Sequence, residues 1–186
     1  VEVKVLSATG KSLFKQIQSI TSPADTLIHF EKLLKSVQPW SAESPYLYTL
    51  VINTTDRNGR VEESVAQPFG FRTIEMKNGL LLVNGVAITI KGVNRQEHNA
   101  VHGRTLSIGE MVKDVKMMKQ FNINAVRTSH YPNYSEWYQL CEKYGLYMVG
   151  EANIECHGIL DTEYKQLADR EDWYPAFHDR MYRMIK

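Results

Sequence analysis

Ser107-Ile-Gly-Glu-Met-Val-Lys-Asp-Val-Lys-Met-Met-Lys-Gln-Phe-Asn-Ile-Asn-Ala-Val-Arg127 is the stretch that decides the fold class. Ser107 followed three residues later by Glu110 is a capping box, the local chemistry of a helix start. Met111, Val115 and Met118 keep helical spacing on one face. Ile123-Asn-Ala-Val-Arg127 then reads as a short strand. Upstream, Ala87-Ile-Thr-Ile-Lys-Gly-Val93 reads as a buried strand. Downstream, Ser135 opens a second helix with Trp137, Leu140, Cys141 and Tyr144 on one face, and Gly145 stops it. Leu146-Tyr-Met-Val149 is a third strand, and Trp173 to Lys186 forms a third helix after a polar loop. The order β-α-β-α-β-loop-α implies a parallel sheet with right-handed crossovers. It fits half of a doubly wound sheet or the opening of an eight-stranded barrel. No Gly-rich phosphate fingerprint follows the first strand, which counts against nucleotide binding.

Residues 1–76 read differently, as an all-β domain, so the chain divides into 1–76 and 77–186. Val1, Val3 and Val5 alternate with polar residues, as in a half-buried strand. Leu27 to Val37 is expected to be a strand. Tyr46-Leu-Tyr-Thr-Leu-Val-Ile-Asn-Thr54 is rich in aromatic and β-branched residues. Asp56-Arg-Asn-Gly59 supplies a turn, and Val61 to Val65 alternates again. Short strands separated by turn signals suggest a small sandwich. Asn78-Gly79 and Asn84-Gly85 bracket Leu80 to Val83, a hairpin signal.

Composition narrows the function. Apolar residues make up 43% and charged residues 23% of 186, enough apolar content to fill a core. Net charge is +1 with no basic stripe, which argues against nucleic acid and anionic membranes as partners. No apolar run approaches the roughly 20 residues of a membrane helix. Two cysteines, Cys141 and Cys156, make no disulfide framework. The chain opens Val-Glu-Val without Met and ends within a helical pattern, so it reads as an internal piece, and its compartment stays open.

In either α/β architecture the site forms at the C-terminal ends of the strands. Those ends carry Asn94-Arg-Gln-Glu-His98, then Arg127-Thr-Ser-His-Tyr-Pro132, then Glu151-Ala-Asn-Ile-Glu-Cys-His-Gly158. Taken alone, His130 is as readily a packed histidine as a functional one, and Glu155 with His157 more often an ordinary polar pair than metal ligands. Arg127, on an apolar strand, needs a carboxylate partner, because an unpaired buried charge is costly. The clustering on one rim raises all three as site candidates.

Several ordered motifs carry a resemblance. Asn124-Ala-Val-Arg-Thr-Ser-His-Tyr-Pro-Asn133, then Trp137-Tyr and Tyr144-Gly-Leu-Tyr-Met-Val149, resembles a signature of glycoside hydrolase family 2. Phe69-Gly-Phe-Arg72, Asn84-Gly85, Lys91-Gly-Val-Asn-Arg95 and Glu97-His98 are similar to flanking family motifs. Asn153-Ile-Glu-Cys-His-Gly158 resembles the β-galactosidase branch, and Trp40-Ser-Ala-Glu-Ser-Pro-Tyr-Leu-Tyr48 the end of the family's sandwich domain.

The resemblance implies an immunoglobulin-like β-sandwich, incomplete at its start, followed by the first third of a TIM barrel. It also implies a retaining hydrolase of terminal β-galactosides, homo-oligomeric when intact, with two carboxylates working through a covalent intermediate. The family's acid/base Glu sits in a Trp-Ser-x-Gly-Asn-Glu motif that this chain lacks, so 1–186 alone is expected to be inactive. What remains is a supporting shell. Arg127 is expected to bond the nucleophile, and His130 and Asn94 to contact the sugar. Glu155 and His157 are expected to ligate Mg²⁺, which prefers oxygen ligands and keeps several waters. Gln96 stands where β-galactosidases often carry a histidine contacting the transition state. Gly150 stands where an Asp commonly precedes the Glu.

Overall fold

The computed structural model describes residues 1–20, 27–159 and 167–185. The chain forms two compact units, Val1–Thr89 and Ile90–Lys186. The division falls later than the change of sequence pattern at 76, because a small meander belongs to the first unit.

The first unit is antiparallel. Strands β1 (Glu2–Leu6), β2 (Ser12–Ile17), β3 (Tyr48–Thr55) and β4 (Val61–Phe69) lie in the order β2-β1-β3-β4. Val3 pairs with Ile52, and Val5 pairs with Leu50 and Phe14, so one face is apolar. The turn from β3 to β4 is built by Asp56, whose Oδ1 accepts the N–H groups of Asn58 at 2.9 Å and Arg60 at 2.8 Å. The Phe69-Gly-Phe-Arg72 motif is structural. A Cβ at Gly70 would lie 2.5 Å from Cβ of buried Trp40, so only glycine fits there. Phe69 and Phe71 meet edge-on at 4.9 Å, and the Arg72 guanidinium lies over the Trp40 ring at 4.8 Å.

A three-stranded meander follows, β5 (Ile74–Lys77), β6 (Leu80–Val83) and β7 (Val86–Ala87). Its two turns are the Asn78-Gly79 and Asn84-Gly85 pairs, with all four residues at positive φ, the geometry that Asn-Gly favours in tight hairpins.

Two expectations are corrected here. Leu27 to Val37 is not a strand. It has no ladder partner among the described residues, and Leu27 and Leu33 are 100% and 82% exposed. Its apolar residues Ile28, Phe30 and Leu34 instead border an apolar cleft of about 430 Å³ with Val3, Leu50 and Ile52. Burial there comes from side chains on an irregular backbone, which no strand period describes. Ala87 to Val93 is not one buried strand either. Val86 and Ala87 close the meander, and the next strand begins only at Gly92. Most of the stretch is exposed. Strand β2 was not anticipated: it is an edge strand whose two adjacent apolar residues, Leu13 and Phe14, break the period-two pattern.

The second unit is parallel β/α. Strands β8 (Gly92–Arg95), β9 (Ala125–Thr128) and β10 (Tyr147–Val149) pair in parallel, with β9 central. Helix α1 (Ile108–Gln120) crosses from β8 to β9, α2 (Ser135–Tyr144) from β9 to β10, and α3 (Tyr174–Ile185) follows. The Ser107–Glu110 capping box is formed in both directions, and Gly145 ends α2 in the left-handed region. Met111, Val115, Met118, Val126, Trp137, Cys141 and Leu146 make one core between helices and sheet.

Period-two alternation sorts the run after β8. Arg95 and Glu97 turn inward and are buried, while Asn94, Gln96 and His98 stay exposed. The Arg95 guanidinium stacks on the Trp137 ring at 3.6 Å. Its Nε donates to Asp114 at 3.1 Å and its Nη1 to Asn133 at 2.9 Å. The Glu97 carboxylate accepts the Tyr134 N–H at the start of α2, where a negative charge favours the helix. These two residues are therefore fold elements. No helix among the described residues is long and apolar enough to cross a membrane.

Candidate active site

The parallel register lines up three polar residues across the C-terminal edge of the sheet. Asn94 of β8 is the register partner of Arg127 in β9, and Arg127 is the partner of Val149 in β10, two residues before Glu151. The side chains continue the row. Arg127 Nη1 donates to Asn94 Oδ1 at 3.3 Å, and Arg127 Nε donates to Glu151 Oε1. Glu151 Oε2 lies 3.0 Å from Nδ1 of His130. The Glu151 backbone N–H is fixed in turn by the buried Thr128 hydroxyl at 3.0 Å.

Arg127 therefore has the carboxylate partner its position demanded, and that partner is Glu151, a residue the sequence reading left without a role. Burial alone would raise the Glu151 carboxyl. Hydrogen bonds from Arg127 and His130, with the Arg127 charge, outweigh that and hold it below its ordinary value. Glu151 is thus an anion at neutral pH. Each Arg carries five N–H donors in a fixed fork. Among the described residues, Arg127 places two of them on oxygens, and the rest remain for another acceptor.

Arg127, Gly150, Glu151, Ala152, Ile154, Glu155 and Met181 line an open cleft of about 370 Å³. Gly150 leaves space here: a Cβ would meet only the tip of Met184, at 4.0 Å. Glu155 sits between two histidines. Its Oε2 is 3.9 Å from His130 Nδ1, and its Oε1 is 3.9 Å from His157 Nδ1. That same Oε1 accepts the His157 backbone N–H at 2.7 Å. As donors for a hard divalent ion, one carboxylate and one imidazole fit as part of a shell that waters and other oxygens would complete. Among the described residues no three His, Cys, Asp or Glu side chains gather into an ion site.

Gln96 is not drawn into this cluster. It borders a separate groove with Asn94, His98, Met117 and Phe121. Glu151 thus joins Arg127 to His130, Asn94 is tied in through Arg127, and Glu155 lies beside His130, with exposed His157 at the margin.

Parallel strands whose C-terminal ends carry a polar, charge-paired cleft define a β/α protein, with a barrel and a doubly wound sheet both placing their sites there. The family model described as "Glycosyl hydrolases family 2, TIM barrel domain" matches residues 74–186, and "Glycosyl hydrolases family 2" matches residues 1–72. The chain belongs to glycosyl hydrolase family 2, as a sandwich domain followed by part of a TIM barrel. It is 46% identical over 164 residues to a β-galactosidase of Psychromonas ingrahamii, covering 88% of this chain and 16% of that protein. It is 47% identical over 153 residues to a β-galactosidase of Alteromonas mediterranea, covering 82% and 14%. Among solved structures, a Bifidobacterium dentium β-glucuronidase complexed with coumarin-3-O-glucuronide matches with TM-score 0.73 and 28% identity, covering 81% of this chain and 24% of that one. A Ruminococcus gnavus β-glucuronidase with D-glucuronic acid matches at 0.67 and 27%, with the same coverage. The chain spans about a sixth of the length of the curated relatives it matches.

Proposed function

We propose that this chain builds the supporting wall of the sugar site in a retaining hydrolase of terminal β-galactosides. The observation that carries the reading is Arg127. Its guanidinium is tethered on two sides, by Glu151 and Asn94, with N–H donors left over at the cleft. Such a group can hold a catalytic carboxylate ionised and aimed at the anomeric carbon. His130 beside it has a ring edge suited to a sugar hydroxyl.

A retaining reaction needs a nucleophilic carboxylate and an acid/base carboxyl about 5 Å apart. Glu151 takes neither role here: an ionised carboxyl has no proton to give as the acid, and both its oxygens are engaged by Arg127 and His130, which leaves neither free as the nucleophile. The pair is contributed elsewhere in the enzyme. Glu155 and His157 would hold Mg²⁺, which supplies fixed positive charge beside the acid/base group. The higher identity to β-galactosidases, together with the Asn153–Gly158 motif, supports galactose as the sugar. Structural likeness to β-glucuronidases favours a second reading, a family 2 enzyme for glucuronides.

Turnover of nitrophenyl β-galactoside and nitrophenyl β-glucuronide by the full-length protein decides between them, with the first sugar anomer read by NMR. The proposal expects galactoside hydrolysis with β-galactose released first. Preference for the glucuronide, or an inverted anomer, would contradict it.

A further inference from the structure

The Arg127–His130 pair does not hold itself in place. Arg127 lies in β9 and His130 on the loop that follows it, and both depend on a carboxylate more than twenty residues away in the chain, Glu151. One Glu151 oxygen takes Arg127 Nε–H and the other faces His130 Nδ1 at 3.0 Å. An ionised carboxylate can only accept, so this contact is a hydrogen bond only when Nδ1 carries the proton. The longer contact from Arg127 Nη2 to the same Nδ1, 3.4 Å, is then a neighbour and not a donor–acceptor pair. His130 Nε2 has no hydrogen-bond partner among the described residues.

We propose that Glu151 is the positioning residue of this site: it clamps Arg127 through Nε and holds a proton on His130 Nδ1, so that Nε2 is the ring atom presented to a sugar hydroxyl. The inference rests on the galactosidase reading above and gives that site its missing organiser. Glu151 suits the role because it is itself fixed. Its N–H is bonded to Thr128, on the strand that carries Arg127. A carboxylate anchored at the end of one strand and facing the loop that leaves it is the arrangement by which supporting residues set the tautomer of a functional histidine.

The test uses the full-length protein. Neutron diffraction of deuterated crystals locates the proton on His130 directly. The expected result is a deuteron on Nδ1 directed at Glu151; a bare Nδ1 overturns the proposal. Glu151→Gln is nearly isosteric, but its amide offers one acceptor and one donor. With the oxygen on Arg127, the NH₂ faces Nδ1 and drives the proton to Nε2. The expected kinetic result is a loss of roughly 10- to 100-fold in kcat with a smaller change in KM and an unchanged melting temperature. Unchanged kcat, or a loss that tracks the melting temperature, overturns the positioning role. Should the wild-type enzyme not turn over galactosides at all, the function proposed above fails, while the neutron result still decides the proton assignment.

Discussion

Replacing Arg127 by Ala in the full-length enzyme should separate activity from stability. In the fold, Arg127 loses a charge-assisted hydrogen bond to Glu151 and a weaker one to Asn94 at 3.3 Å. A bond to a charged group contributes roughly 1.5–3 kcal/mol. The Arg127 side chain is 39% exposed and that of Glu151 22%, so water recovers much of that, and the net cost is about 1 kcal/mol or less. The catalytic cost is larger. The donors left at the cleft act where charge is held in a restricted site, and loss of one such donor costs roughly 2.7–4 kcal/mol, or 10²- to 10³-fold in kcat. Gln96→Ala, on exposed chain beside a different groove, should cost less than about tenfold. Nitrophenyl galactoside turnover and thermal denaturation of the two variants form the assay. Equal losses at the two positions, or a larger loss at Gln96, would refute the role of Arg127.

Three further outcomes are expected. Burial pushes the Cys141 thiol up to about 12, whereas Cys156 is partly accessible, so a thiol reagent at pH 8 should titrate Cys156 and leave Cys141 until the fold opens; fast modification of Cys141 would refute its burial. Hydrogen bonds from Lys15, then Lys4, lower the Glu2 carboxyl from 4.5 to about 2. That depressed value means its stabilisation is complete above about pH 4.5 and fades as pH falls toward 2, so Glu2→Gln should lower the stability of the sheet at neutral pH and flatten its loss with acid, the two proteins converging near pH 2. Glu155→Gln should weaken the magnesium dependence of full-length activity after chelation; an unchanged dependence removes Glu155 as a ligand.

What the sequence made legible was local chemistry. The Ser107–Glu110 box, Gly145, the two Asn-Gly pairs and the Asp56 turn each depend on residues within four positions, and each is formed. The core stripe of α1 and α2 was legible because helical period survives burial on one side. Leu27 to Val37 misled because Ile28, Phe30 and Leu34 are apolar for an irregular segment bordering a cleft, not for a ladder. At the site, Arg127 announced its need for a carboxylate. That Glu151 meets it depends on β9 and β10 being register neighbours, a pairing absent from any single motif. The structural role of Arg95 and Glu97 was accessible through alternation along β8, but their place in a polar run masked it.

The most direct test of the central claim is a crystal structure of the full-length protein with galactose bound. The account predicts the sugar at the C-terminal ends of β8, β9 and β10, with His130 Nε2 within hydrogen-bond distance of a hydroxyl and Arg127 donating to a carboxylate beneath the anomeric carbon. Galactose bound away from these strand ends, or Arg127 with no carboxylate other than Glu151, would contradict it.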